Sequence, residues 1–338
     1  MNGRPGLRSL PAMFSVDTEL AEQADTHLTD DLPPAVSVRS LRRSYGNVEA
    51  VRALDLDIAQ GEIFALLGPN GAGKTTTLEI LEGFRTRSGG EVKVLGVDPE
   101  RAGRAWRERV GVVLQDSQPE PELTARQCLT LYAGYYDHPR PVDDTLALVG
   151  LADLGHRRSE QLSGGQRRRL DVALALIGDP ELLFLDEPTT GFDPASRRAM
   201  WDLVDELRAG GTTIVLTTHY MEEAERLADR IAVMSGGRIV AEGTPGSIGP
   251  RELMAPELSF TVPAGVSPDQ MPIAIGVTHT DERRKIRVRC ESPVEAMFSL
   301  THWALEHDHE LDDLELRRPT LEDAYLHLTS PEPAGSGG

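Results

Sequence analysis

Three observations predict an α/β fold for this 338-residue chain. A short apolar run over Glu62 to Leu67 feeds a glycine-rich stretch, and Thr75 to Phe84 follows with helical spacing of Leu78 and Leu81. Two more apolar runs, Leu182 to Leu185 and Thr212 to Thr217, end in polar pairs, Asp186-Glu187 and Thr218-His219. A further buried-type strand, Val110 to Leu114, ends at Gln115. Short apolar strands alternating with helices build open sheets that gather polar groups at the strand ends.

The remaining elements follow in chain order. Residues 1–34 read as a disordered leader, rich in Gly, Pro, Asp and Thr and closed by Pro33-Pro34. Val36 to Arg42 and Val51 to Ile58 alternate apolar and polar, as half-buried strands do, and Gln60-Gly61 makes a turn. Residues 120 to 160 carry leucines and tyrosines at helical spacing. Ile231 to Met234 and Arg238 to Ala241 form a hairpin across Ser235-Gly236-Gly237. From Gly243 to Pro256 the composition shifts to Gly, Pro and Ser, which marks a boundary.

A small α+β domain over 251–330 follows. In it, Arg284 to Arg289 is a strand with Ile286 and Val288 inward. Ser292-Pro293-Val294-Glu295 is a capping box that opens a helix to about His307. Leu314 to Leu316 is a strand, and Thr320 to Asp323 caps a last helix through Leu328. Residues 331–338 read as a disordered tail.

Composition bounds the function. The chain of 36.9 kDa allows one large domain and a smaller one, and 39% hydrophobic residues fill a sizeable core. The net charge is −19, with an acidic segment from Asp17 to Asp31, so nucleic acid is excluded as the main partner. Two cysteines without a C-x-x-C pair fit free thiols in a reduced, cytosolic protein. No secretory signal is visible. The most apolar stretch, Leu170 to Leu185, is broken by Asp171, Asp179, Pro180 and Glu181, whereas a bilayer span needs about 20 apolar residues. Action at a membrane therefore requires another chain.

The glycine-rich stretch reads Gly68-Pro69-Asn70-Gly71-Ala72-Gly73-Lys74-Thr75, followed by Thr76. This G-x-x-x-x-G-K-[ST] pattern arises by chance in roughly one chain of this size in a hundred. Its glycines let backbone N–H groups turn inward around a β-phosphate, and the helix behind it adds its positive end. Lys74 reaches the β- and γ-phosphates, and the Thr75 hydroxyl is placed to ligate Mg²⁺. Asp186, at the carboxyl end of a buried strand, is placed to hold Mg²⁺ through its water shell. Glu187, next to it, is placed to polarise a water in line with the γ-phosphate. Two acids ending a buried strand are hard to explain structurally, since unpaired buried carboxylates are costly.

A second pentapeptide, Leu162-Ser163-Gly164-Gly165-Gln166, is rarer still, at roughly one chain in a few thousand. Taken singly, Tyr45, Gln115, Asp193 and His219 read as a half-buried aromatic, a surface glutamine, a turn or helix start and a structural histidine.

Together, in this order, the set resembles the nucleotide-binding subunit of ATP-binding-cassette (ABC) transporters over about residues 36 to 245. That resemblance implies a phosphate-loop cassette over 35–245: a mixed sheet core, an antiparallel β layer near the adenine and a helical subdomain over about 116–170. It implies that Tyr45 stacks on adenine and that Gln115 contacts Mg²⁺ and senses a membrane partner. Ser163, Gly164, Gly165 and Gln166 would cap the γ-phosphate of the ATP held by an opposite copy. Asp193 would bridge the two sites, and His219 would contact the γ-phosphate and steady Glu187. Phe192 stands where the family usually has leucine and is expected to pack equivalently.

The spacing agrees: Gln166 lies 20 residues before Asp186 (186 − 166), room for a helix of about four turns and a tight return. The ending from Pro319 to Thr329 resembles the antibiotic-exporter branch, including the daunorubicin-resistance type. There a separate ATPase chain pairs with a separately encoded integral membrane permease.

The function so implied is ATP hydrolysis powering export of a drug, antibiotic or lipid-like substrate. Two copies would close head to tail around two MgATP at the cytoplasmic face of the membrane. An importer ATPase is the nearer alternative, and a non-transport ABC ATPase the more distant one. Repair ATPases of this superfamily insert long coiled coils between the two motifs, and the 86 residues from Thr75 to Leu162 are too few for that. Ribosome-associated members carry two cassettes, and this chain has one. Glu187 and His219 argue against a regulator without hydrolysis.

Overall fold

The computed structural model describes residues 32–114, 119–248, 256–272, 277–280, 285–290, 292–317, 320–323 and 325. Up to residue 248 the strands are β1 (Val36–Tyr45), β2 (Val48–Ile58), β3 (Ile63–Leu67), β4 (Gly89–Val94), β5 (Val110–Val113), β6 (Leu182–Asp186), β7 (Thr213–Thr218), β8 (Arg230–Ser235) and β9 (Arg238–Gly243). The helices there are α1 (Lys74–Leu81), α2 (Arg104–Arg107), α3 (Ala125–Ala133), α4 (Val142–Leu148), α5 (Gly164–Leu176), α6 (Pro194–Ala209) and α7 (Met221–Leu227).

The central sheet is mixed, in the order β5-β6-β7-β3-β8-β9, parallel except for β9. Every residue of β3, β6 and β7 is buried, as expected of parallel strands covered on both faces. The two-residue alternation divides them between two cores. Phe64, Leu66 and Phe184 face one, with α1, Trp106 and the antiparallel sheet β2-β1-β4. Ile63, Ala65, Leu67 and Leu185 face the other, with residues of α3 to α7. Phe192 packs against that second core.

The expected hairpin is β8–β9, and Gly236 and Gly237 both take positive φ, 54° and 80°. A tight two-residue hairpin turn of this kind needs both angles positive. Strand β4 is not among the elements expected above; it opens with Gly89-Gly90. Glycine is required there for contact: a Cβ on Gly90 would lie 2.4 Å from the Ser40 carbonyl oxygen of β1.

Beyond residue 256 lie β10 (Glu257–Thr261), β11 (Val277–Thr280), β12 (Lys285–Arg289), α8 (Pro293–Glu306) and β13 (Asp312–Arg317). The antiparallel sheet β11-β12-β10-β13 buries Leu258, Phe260, Ile286 and Val288 beside Leu300 of α8. Helix α8 opens at Pro293 as expected, but the Ser292 side chain makes no capping bond; Pro293 and the first-turn acid Glu295 mark the start. Thr320 does cap. Its N–H donates to Asp323 Oδ2 at 2.8 Å, and the Asp323 N–H donates to Thr320 Oγ1 at 3.3 Å. Leu321 is buried among residues of the second core, and its N–H donates to Glu225 Oε1 of α7 at 3.1 Å. The expected leader through Asp31, Gln115, the continuation of the last helix to Leu328 and the 331–338 tail lie outside the described residues.

Candidate active site

The glycine loop joins β3 to α1. Gly71 and Gly73 take φ of 80° and 103°, where side chains are disfavoured. Gly73 also lacks room, since a Cβ would meet the Ala50 carbonyl oxygen at 2.4 Å. No side chain caps α1 and no acid sits in its first turn, so its N-terminal N–H groups stay free of a competing carboxylate. Lys74 is buried, and its Nζ donates to the carbonyl oxygens of Gly68 at 2.8 Å and Pro69 at 3.3 Å. Burial pulls its pKa down, while the carboxylates of Glu187 and Asp186 pull it back up.

Both acids stand at the carboxyl end of β6. Asp186 is buried, and its Oδ1 accepts from the Thr217 hydroxyl of β7. Burial raises the Asp186 pKa; the Thr217 bond, Lys74 and Arg168 oppose the rise. Glu187 leaves the strand with φ of 45°, a left-handed conformation uncommon for a side-chain-bearing residue. Its N–H donates to Thr217 O at 3.2 Å and Oγ1 at 3.1 Å, which holds that conformation. Glu187 Oε2 accepts from the Thr190 hydroxyl at 3.1 Å, and Oε1 lies 3.3 Å from His219 Nδ1. The Glu187 carboxylate is thus steadied from both sides.

An open cleft of about 780 Å³ brings these groups together. Asn70, Gly71, Gly73, Lys74, Thr75 and Thr76 line it from the loop and α1, and Glu187, Thr190 and His219 line it from opposite. The volume lies within the range typical of small-molecule sites. The cleft accordingly pairs loop N–H groups and an ammonium with a carboxylate and an imidazole.

The other expected residues do not line this cleft. Ser163 caps α5 by accepting from the Gln166 N–H at 3.3 Å, while Gln166 Oε1 accepts from the Ser163 N–H at 3.0 Å. Gly165 approaches the start of α6, where a Cβ would meet Ser196 Oγ at 2.8 Å. Asp193 caps α6, accepting from the N–H groups of Ala195 and Ser196 and from the Ser196 hydroxyl. Tyr45 is exposed, with the guanidinium groups of Arg43 and Arg85 at 4.7 and 5.4 Å from its ring centre. Gln115 lies outside the described residues.

Two residues that shape the site were not expected. Thr217 holds Asp186 by its hydroxyl and Glu187 by its carbonyl. Arg168 of α5 is buried and donates to the carbonyl oxygens of Leu114, at the end of β5, and Asp186, the latter at 2.7 Å. It ties the helix that begins at Ser163 to two strand ends. In the sequence it is hidden in the run Arg167-Arg168-Arg169, which reads as a solvated face.

The ABC transporter family model matches residues 51–190, and the model for the C-terminal domain of ABC transporter domain-containing proteins matches residues 256–320. The chain is 39% identical over 306 residues to the daunorubicin resistance ATP-binding protein DrrA3 of Streptomyces coeruleorubidus, spanning 88% of this chain and 96% of that one. It is 38% identical over 309 residues to the Nod factor export ATP-binding protein I of Paraburkholderia xenovorans (strain LB400), spanning 88% and 98%. Among solved structures, the dimeric post-hydrolysis state of the ATP-binding cassette MJ0796 bound to ADP and Pi matches with a TM-score of 0.56 and 25% identity, over 62% of this chain and 98% of that one. Near-complete coverage at 39% identity, on a fold that agrees, shows the family: the chain belongs to the ABC transporter family as one of its ATP-binding, ATP-hydrolysing subunits.

Proposed function

We propose that two copies of this chain hydrolyse ATP at shared sites to power export through a separate integral membrane permease. The observation that carries this reading is the division of the site. Lys74, Glu187 and His219 line one cleft, while Ser163 to Gln166 and Asp193 lie elsewhere on the chain. A head-to-tail pair would bring the second group of one copy onto the ATP of the other, and the cassette MJ0796 is dimeric with ADP and Pi. Export is supported by the relatives, whose names are daunorubicin resistance and Nod factor export ATP-binding proteins. Among the described residues no helix is long and apolar enough to cross a membrane, so the chain would act peripherally, at the cytoplasmic face. Residues 35–245 form the cassette in this reading and 251–330 an accessory domain.

Mg²⁺ fits the donor set: a hydroxyl at Thr75 on the cleft wall and a buried carboxylate at Asp186, with Gln115 as a third candidate. When bound it would neutralise charge on the β- and γ-phosphates. The loop N–H groups and Lys74 hold the phosphates. Glu187 Oε1 takes a proton from the attacking water, and His219, 3.3 Å away, keeps that carboxylate aimed. Tyr45 stacks on adenine once Arg43 and Arg85 yield a ring face.

The permease would dock near α3. Leu129 is buried and Tyr132 and Tyr136 half-buried, but Leu131 and Tyr135 are exposed, at 45% and 63%. The test is to purify the tagged chain from detergent-solubilised membranes and identify what comes with it. A transporter subunit brings one integral membrane protein. Leu131→Asp and Tyr135→Asp should release that protein and abolish transport while basal ATPase persists. If they stay bound and transport normally, docking lies elsewhere, with 251–330 the next candidate.

A further inference from the structure

A second cleft, of about 570 Å³, opens at the far end of α1. Phe84, Trp106, Leu114, Tyr132 and Tyr136 give it apolar walls, and Phe84 and Leu114 are themselves exposed. One wall residue breaks the pattern. Glu82, directly after α1, is 5% exposed, and its Oε1 has no hydrogen-bond partner. A buried carboxyl oxygen without a donor is rare in a settled structure and calls for an explanation.

Nearby cations do not supply one. Arg85 is bound to Glu79 at 2.5 and 3.1 Å, and Lys74 to its own loop carbonyls. Arg168 is turned to Leu114 and Asp186. Arg107 lines the same cleft but is exposed and makes no ion pair with Glu82. The other acid of the lining, Asp171, is buried as well. The cleft therefore offers an apolar rim and, at Glu82, a buried carboxyl oxygen that no cation meets. That matches an amphipathic helix carrying a cation, and excludes an anionic occupant.

We propose that Glu82 is the acceptor for a lysine or arginine side chain presented by a cytosol-facing helix of the membrane partner. This rests on the docking reading above and deepens it by naming the residue that selects the partner. Three features support it. The oxygen is already desolvated and unpartnered, so an incoming donor meets a prepared site. Burial, with the charges of Asp186 and Glu79, pushes the carboxyl up to about 8, and a cation would relieve that strain on ionisation. Finally, Glu82 directly follows α1, the helix that begins at Lys74, so this cleft and the phosphate loop lie at opposite ends of one helix.

The test uses the membrane protein recovered by the purification above. Glu82→Gln and Glu82→Met should reduce its retention about tenfold or more, and Glu82→Asp less, since removing one member of a desolvated charge pair strands the other. Glu82→Lys should lose the partner and regain it when one lysine or arginine of the partner's cytosol-facing helices is changed to Glu. Circular dichroism and the ATP-induced rise in melting temperature check the fold of each variant. Should Glu82→Gln misfold, Glu82→Met and the charge swap decide. Full retention by Glu82→Gln or Glu82→Met overturns the proposal, as does a Glu82→Lys defect that no charge reversal repairs. If the wild-type chain retains no membrane protein, the docking reading falls and this one with it. If it does and the Glu82 variants match it, only this one falls.

Discussion

At the N-terminal end of α1, Lys74 is buried with two carbonyl oxygens to hold it; at the C-terminal end, Glu82 is buried with a carboxyl oxygen of its own that nothing holds. The helix between them has eight residues, about 12 Å. Both groups are removed from water, yet only one is compensated. An ammonium has three donors, so Lys74 keeps one free for a phosphate even after its two loop bonds. Its site is built in advance, with Asp186 and Glu187 balancing the charge. The Glu82 end sets an unpartnered carboxyl oxygen among largely apolar walls, which suits a surface completed by another molecule. A ligand that arrives each turnover meets a finished site, and a partner that stays can finish its own.

The widest test of the finished end is Glu187→Gln. The amide keeps the shape and the contact with Thr190 but cannot take a proton. Hydrolysis should fall by about 10²–10⁴-fold, the usual worth of a general base. ATP binding should persist, and an ATP-bound dimer should accumulate on size exclusion, because hydrolysis is what reopens it. A variant that hydrolyses at the wild-type rate would remove Glu187 from the mechanism and leave the cleft without an assigned base.

The two ends of α1 were also unequally legible in the sequence. The loop end is spelled out because phosphate binding needs glycines at fixed positions, and Gly71 and Gly73 take the positive φ that such a turn demands. Asp186 and Glu187 stood out because acids seldom end a fully apolar strand. The Glu82 end was silent. Its one signal was spacing: Glu82 follows Leu78 by four residues and so continues the apolar face of α1. A single acid in such a stripe reads as a helix end. Arg168 was hidden for the opposite reason, as one of three arginines of which only the structure tells which turns inward. Thr217 looked like an ordinary strand residue, and its hydroxyl acquires meaning only beside Asp186 across the sheet. Long-range pairings decide these roles, and local pattern does not carry them.

A middle-sized effect tests whether the finished end is finished by one chain or two. Lys74→Ala and Ser163→Arg should each be inactive alone. In a mixed dimer, one site takes Lys74 from the Ser163→Arg chain and Ser163 from the Lys74→Ala chain, and is intact on both sides. Mixing should therefore restore part of the ATPase activity, greatest near equal amounts. If mixed dimers form, as mass spectrometry can verify, and no activity returns at any ratio, the shared-site model is wrong.

The smallest effect bears on the unfinished end and needs no partner at all. Glu82 is raised from an ordinary 4.5 to about 8, chiefly by burial, then by Asp186 and Glu79. A carboxyl whose folded value exceeds its unfolded one favours folding while it is protonated. That contribution is complete below the unfolded value and is lost as the pH climbs through the folded one, here from about 4.5 to about 8. Glu82→Gln mimics the neutral form and does not titrate. The variant and the wild type should therefore melt at similar temperatures near the acid end of that window. Toward its alkaline end the wild type should fall behind. For a chain of this size, 1 kcal/mol corresponds to about 2–4 °C, so a gap of several degrees is expected. A difference in melting temperature that stays flat across the window would mean that Glu82 ionises at its ordinary value. The carboxyl would then be compensated after all, and the contrast between the two ends of α1 would disappear.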